Sequence, residues 1–154
     1  MKIVLSLFFV LLLFSCSDST VYEKTYMLND SGWDYKDKLE FKFNVKDSKQ
    51  NYNLLINLKY KKTYPYSNLY FFVDIIDPLK KLKKDTIEYF MARPSGKWLG
   101  ESSGEYINQQ SAYRYNINFP EAGEYTIVLQ HAMRDSLLKK ISEVGMELQE
   151  SQEN

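Results

Sequence analysis

"KLEFKFNV", residues 38–45, decides the fold. Leu39, Phe41, Phe43 and Val45 fall on one side of an extended chain, and Lys38, Glu40, Lys42 and Asn44 on the other. Successive side chains of a strand point to opposite faces, so this alternation puts one face on a core and the other in water; wound as a helix, the apolar residues would scatter. The pattern recurs in "NYNLLINLKY" (51–60), where Tyr52, Leu54, Ile56, Leu58 and Tyr60 share a face.

Other segments extend the series. "NLYFFVDII" (68–76) is apolar on both faces, which predicts a central strand covered on both sides, and it stops at Asp77-Pro78. "LKKLKKD" (79–85) reads as a basic loop at a hairpin tip, with "DTIEYFMA" (85–92) as the return strand. "VYEKTYML" (21–28), "AYRYNINF" (112–119), "EYTIVLQHAM" (124–133) and "VGMELQE" (144–150) complete about eight strands, and "DSLLKKISE" (135–143) is the one segment predicted to make a helical turn. An all-β, antiparallel β-sandwich of jelly-roll or immunoglobulin-like type buries such strands best, as a single domain over 21–150 followed by a polar tail, 151–154.

Composition narrows the function classes. The chain has 154 residues, 44% hydrophobic and 16% aromatic, enough for one packed core. Twenty basic side chains balance twenty acidic ones, so no overall field draws the protein to nucleic acid. Cys16 is the only cysteine, which excludes an intrachain disulfide and a zinc site built on several thiolates.

That cysteine ends an export signal. Lys2 precedes the apolar run "IVLSLFFVLLLF" (3–14), which at about 1.5 Å per helical residue is too short for a roughly 30 Å hydrocarbon core. Leu13-Phe14-Ser15-Cys16 resembles the bacterial lipobox, although Phe14 stands where small residues are usual. The resemblance implies removal of residues 1–15 and lipidation of Cys16, with 16–20 as a short tether. The cut leaves 19 basic against 20 acidic side chains, so lipid and not charge would hold the protein to its membrane.

No catalytic constellation stands out. His131, the only histidine, lies in line with Tyr125, Ile127 and Leu129 and reads as a hydrogen-bonded, half-buried imidazole; Asp74 shares a face with Tyr70, Phe72 and Ile76. "GKWLGESSG" (96–104) lacks the Lys-Ser/Thr pair of a phosphate cradle and reads as a long loop. Tyr64, Tyr66, Lys97 and Trp98 are the candidate partner contacts, since loop aromatics with a cation suit protein docking or sugar stacking. The competing reading has Trp98 and Tyr66 fold back to cap the sandwich, and capping is favoured for Trp33.

"YPYSNLYFFVDIIDP", "DTIEYFMARPSGKWLG", "INFPEAGEYTIVLQHAMR" and "ISEVGMELQE", in this order behind the lipobox, resemble the gliding motility-associated lipoproteins GldH of the Bacteroidota over essentially the whole mature chain. The resemblance implies an outer-membrane lipoprotein required for gliding and linked to type IX secretion, with other motility lipoproteins as partners. It attaches no enzymatic activity and no cofactor, and the only residue it carries over is the lipidated cysteine, matched by Cys16. Lipid anchoring at the outer membrane is expected, with the periplasmic face favoured over the cell surface. The first expectation is therefore a non-enzymatic docking or stabilising component; a carbohydrate-binding β-sandwich module is the alternative, and a hydrolase using Asp74 with a second acid is a third.

Overall fold

The computed structural model describes residues 19–151; the signal segment, Cys16 and the last three residues lie outside the described residues. Eleven strands follow in order: β1 (Thr20–Met27), β2 (Trp33–Asp34), β3 (Leu39–Val45), β4 (Asn51–Lys61), β5 (Asn68–Ile76), β6 (Leu82–Phe90), β7 (Glu101–Ser103), β8 (Tyr106–Asn118), β9 (Gly123–His131), β10 (Leu137–Leu138) and β11 (Ile141–Glu150). They form a five-stranded sheet, β1-β11-β4-β8-β7, a four-stranded sheet, β3-β9-β5-β6, and the small β10-β2 ribbon. Every pairing is antiparallel, as the alternating segments require.

The two larger sheets bury their inner faces against each other. In β3 the burial follows the sequence alternation residue by residue, with Leu39, Phe41, Phe43 and Val45 inside. Opposite them lie Tyr52, Leu54, Ile56, Leu58 and Tyr60 of β4 and Val144, Met146 and Leu148 of β11. Rings interlock across the gap: Phe119 sits 5.7 Å from Phe43, 5.7 Å from Tyr52 and 4.7 Å from Tyr125. Each fully buried ring or aliphatic side chain contributes about 1.5–3 kcal/mol relative to exposure. At the β1 edge, Lys24 Nζ and Tyr26 Oη both donate to the Glu40 carbonyl of the facing sheet, at 3.0 and 2.7 Å.

One buried polar knot crosses the core. Gln109 of β8 donates from Nε2 to the Phe90 carbonyl of β6 at 2.8 Å and accepts from Tyr60 Oη at 2.8 Å. Tyr89 Oη lies 3.2 Å from the Ile56 carbonyl and 3.3 Å from that of Gln109. Burial pushes the Tyr89 phenol up to about 12, so it stays a donor throughout the physiological range. Satisfied on both sides, the amide ties one sheet to the other without leaving an unpaired dipole.

Four expectations need correction. Strand β5 spans exactly 68–76, but only its inner face is covered: Leu69, Phe71 and Val73 are buried, whereas Phe72 is 51% exposed. Residues 135–143 form no helical turn. Leu137 and Leu138 pair with Asp34 and Trp33, Lys140 takes φ 73°, and Ile141 starts β11. A nine-residue helix is marginal on its own, and strand pairing buries Leu138 and Ile141 instead. The loop 96–104 contains β7, paired with β8. The basic segment 79–85 is only half a loop, since Leu82, Lys83 and Lys84 pair with Ile76, Ile75 and Asp74. The count exceeds eight because β2, β7 and β10 have two or three residues each, too few for alternation to be seen.

Adjacent residues on opposite faces give a direct check of this register. Phe71→Ala, at a fully buried position, is expected to cost about 3–5 kcal/mol, and Phe72→Ala about 0.5 kcal/mol or less, in urea unfolding followed by tryptophan fluorescence.

Candidate functional site

The strand registers define two ends. The chain enters at Thr20, opposite Gln149, and the turns 45–51, 76–82 and 118–123 lie at that same end. Met27, Lys61, Asn68, Phe90 and His131 mark the far end, where the loop aromatics gather.

The structure brings Tyr64, Tyr66 and Trp98 together there but does not offer all of them to a partner. Tyr64 is 4% exposed, its ring 6.1 Å from Tyr60 and 5.6 Å from Tyr66, and its hydroxyl donates to the Asn68 carbonyl at 3.1 Å. As a contact residue it is corrected to a core residue: a phenol with one backbone acceptor in reach loses less by burial than the ring gains. Trp98 is half-buried, 5.3 Å edge-on to Tyr60, with its backbone bridged to Ala92, so it caps the core. Trp33 is fully buried, donating from Nε1 to the Asp37 carbonyl at 2.9 Å. Tyr66 stays at the surface with its hydroxyl on the Asp135 carboxylate at 2.8 Å, a bond that raises its pKa. Lys97 is also exposed.

Sequence reasoning missed the larger feature. On the outer face of the four-stranded sheet, Tyr70, Phe72 and Phe90 are exposed, Phe90 at 60%, and Tyr66 continues the strip at the far end. Tyr70 stands opposite Glu88, and Phe90, opposite Asn68, is its diagonal neighbour. Met133 Sδ accepts from the Tyr70 N–H at 3.4 Å, which places a flexible thioether beside the rings. Asp74 in the outward set of β5 was the one sign in the strand itself; Lys84, Thr86 and Glu88 opposite that set, which the pairing reveals, show that this face meets water.

The other outer face is polar. A cavity of about 610 Å³ on the five-stranded sheet is lined by Glu23, Thr25, Asn57, Lys59, Gln110, Glu143 and Glu147, among others. Glu147 is 8% exposed and accepts from Thr20 Oγ1 at 2.7 Å, Gln149 Nε2 at 2.7 Å and Gln110 Nε2 at 2.8 Å. Burial alone would push this carboxyl up, but the bonds from Thr20, Gln149, Asn57 and Gln110 outweigh it and hold the pKa below the usual value. An acid so held is ionised at neutral pH and has no proton to donate. Lys59 and Glu143 pair at 2.7 Å, and a Cβ at Gly145 would come within 2.6 Å of Thr25 Oγ1, so only glycine lets the strands close here.

Neither candidate catalytic residue is set up for catalysis. Asp74 pairs with Lys84 across the hairpin at 3.5 Å. His131 is fully buried rather than half-buried, with Nε2 3.0 Å from the Trp33 carbonyl, its ring edge-on to Trp33, and Nδ1 without a partner. The carbonyl is an acceptor, so Nε2 carries the proton and Nδ1 is bare.

A sequence profile of the GldH lipoprotein family matches residues 20–148. The chain is 32% identical over 152 residues to the gliding motility lipoprotein GldH homolog of Christiangramia forsetii, covering 94% of this chain and 93% of that protein. It is 31% identical over 147 residues to gliding motility lipoprotein GldH of Flavobacterium johnsoniae, covering 91% of each. The chain belongs to the GldH lipoprotein family. Membership of this family makes it a lipid-anchored, membrane-associated protein. Among solved structures, a family GH115 4-O-methyl-alpha-glucuronidase overlaps it at TM-score 0.43 and 13% identity, covering 86% of this chain and 18% of that one. A family 35 carbohydrate binding module from Clostridium thermocellum overlaps at TM-score 0.38 and 14% identity, covering 82% and 88%. Both overlaps are too loose to bear on function.

Burial lowers the His131 pKa below its ordinary value, opposed by the bond to Trp33. The unfolded imidazole therefore takes up a proton first, near pH 6.5. Stability should be fully present above that pH and fall as the pH drops below it; His131→Gln should remove this part of the dependence in thermal melts between pH 7.5 and 5.5.

Proposed function

We propose that the chain is a lipid-anchored, non-enzymatic component of gliding motility and the associated type IX protein secretion, held at the periplasmic face of the outer membrane through Cys16, where it docks or stabilises partner lipoproteins. The observation that carries this reading is the family match over residues 20–148, which spans nearly the whole sandwich, with the lipobox cysteine four residues ahead of it. The relatives it matches are named for gliding motility. The aromatic strip of Tyr66, Tyr70, Phe72 and Phe90 supports docking, since exposed rings supply large contact area at low entropic cost.

The polar cavity favours a second reading, a carbohydrate-binding module, because amides and carboxylates suit sugar hydroxyls. It ranks second: no aromatic ring is among the lining residues to stack on a sugar, and Glu147 already spends its acceptors within the protein.

Two variants separate anchoring from docking. Cys16→Ala should be exported, fold normally and abolish gliding, as scored by colony spreading; normal spreading would sink the anchoring role. Phe72→Glu, at an exposed position, should change stability by about 0.5 kcal/mol or less yet impair gliding while the protein stays in the membrane fraction. A saccharide titration of tryptophan fluorescence that saturates would favour the second reading instead.

A further inference from the structure

The β5–β6 turn sits at the end where the chain enters, and its composition is unusual for a turn. Leu79 and Leu82 are 56% and 54% exposed, interleaved with the exposed Lys80, Lys81, Lys83 and Lys84. Solvated turns are ordinarily built from small polar residues, which form the bend at no apolar cost. This bend is already made by other means. Asp77 accepts from Lys81 N through Oδ1 at 2.8 Å and from Lys80 N through its carbonyl at 2.9 Å, and Lys80 takes φ 62°. Gly123 of the neighbouring turn lies so close that a Cβ there would meet Pro78 at 3.0 Å. The turn is thus formed and buttressed by backbone and Asp77 bonds, and the Leu79 and Leu82 side chains are left exposed on it.

Position suggests what they contact. The four steps from Cys16 to Thr20 reach about 14 Å at most, so a lipid on Cys16 holds this end of the sandwich close to the bilayer. Strand β1 lies over β3, through Tyr22 on Phe43 and Tyr26 on Phe41. From β3 to β6 is three strand positions, about 14 Å at 4.8 Å each. With about 10 Å between the packed sheets, the tip lies roughly 17 Å from the entering chain, little more than a tether's length, at the same end.

We propose that the β5–β6 tip is a second membrane contact, with Leu79 and Leu82 entering the headgroup boundary and Lys80, Lys81 and Lys83 pairing with anionic lipid phosphates. The proposal rests on the anchoring of Cys16. Leucine at the acyl boundary with lysines reaching back to the headgroups is the chemistry of interfacial binding. The charges near the tip set its strength: Lys84 is taken by Asp74 at 3.5 Å, Asp77 and Glu121 lie on the same and the adjoining turn, and Glu124 lies at the start of β9, so the contact is modest by itself and acts by orienting a protein already tethered. It would hold the sandwich upright, with the far-end aromatics pointing away from the membrane.

The test uses the lipidated full chain, purified from membranes and placed in vesicles of phosphatidylcholine alone or mixed with phosphatidylglycerol. Cys16 is the sole cysteine and is blocked when acylated, so Leu79→Cys can carry an environment-sensitive fluorophore, with Ser95→Cys at the far end as control. At low salt the label at 79 should shift to the blue, brighten severalfold and be quenched by doxyl lipids in the anionic vesicles, while the label at 95 reports water. Changing Lys80, Lys81 and Lys83 to Gln should reverse this. A protein that floats with the vesicles but reports water at 79 in both compositions overturns the proposal and leaves the anchor standing. An equal response in neutral and anionic vesicles overturns the role of the lysines. A protein that does not float, with Cys16 open to the dye, overturns the anchor and this inference with it.

Discussion

The inner faces of the four- and five-stranded sheets pack mainly against each other, with Trp33 and Leu138 of the β10-β2 ribbon added at one end. Among the described residues there is no helix to cover a second face of either sheet. Each strand must therefore split its residues into an inward apolar set and an outward set, and β3 does so without exception. The rings of Phe43, Phe119, Tyr52 and Tyr125 fill the gap, and the Gln109 amide fixes the two sheets in one alignment. A one-residue slip in any strand would exchange the two sets, so register is strongly specified. Under this constraint an apolar side chain in the outward set has no work to do in the core, and Phe72 is such a residue.

The parts of the fold legible in the sequence are those where composition and geometry share a period. Strands β3 and β9 alternate cleanly, and their burial could be read directly; β4 does so except at Leu55, which is buried with Leu54 and Ile56 where its register against β8 shifts. Strand β5 has an apolar outward set, so its end points were legible while its exposure was not; settling that needed the cross-strand partners Lys84, Thr86 and Glu88, which only pairing identifies. The short strands β2, β7 and β10 are set by tertiary contacts, such as the pairing of Leu138 with Trp33, and leave no periodic trace. The candidate contacts were half legible: Tyr66 and Lys97 are at the surface, but which loop aromatic turns inward depends on a single acceptor, the Asn68 carbonyl in the case of Tyr64.

The two ends of the sandwich differ in chemistry. At the entering end, the β5–β6 turn exposes lysines and leucines; at the far end, Trp98 and Tyr64 close the core and Tyr66 leads onto the outer aromatic strip. The proposed docking role would use this division, since a surface offered to partners has to clear the bilayer. The closed polar network around Glu147 and the buried His131 belong to the scaffold: their hydrogen bonds are spent on holding strands and loops together.

The central claim is that the outward aromatics of β5 and β6 exist for a partner and not for the fold. Site-specific photocrosslinking in living cells tests it most directly, with a photoreactive phenylalanine placed at position 72 or, as a control on the other sheet, at the still more exposed position 115. The account predicts one discrete adduct from position 72, containing a membrane lipoprotein identified by mass spectrometry, and none from position 115. No adduct from position 72, or the same adducts from both, would contradict it.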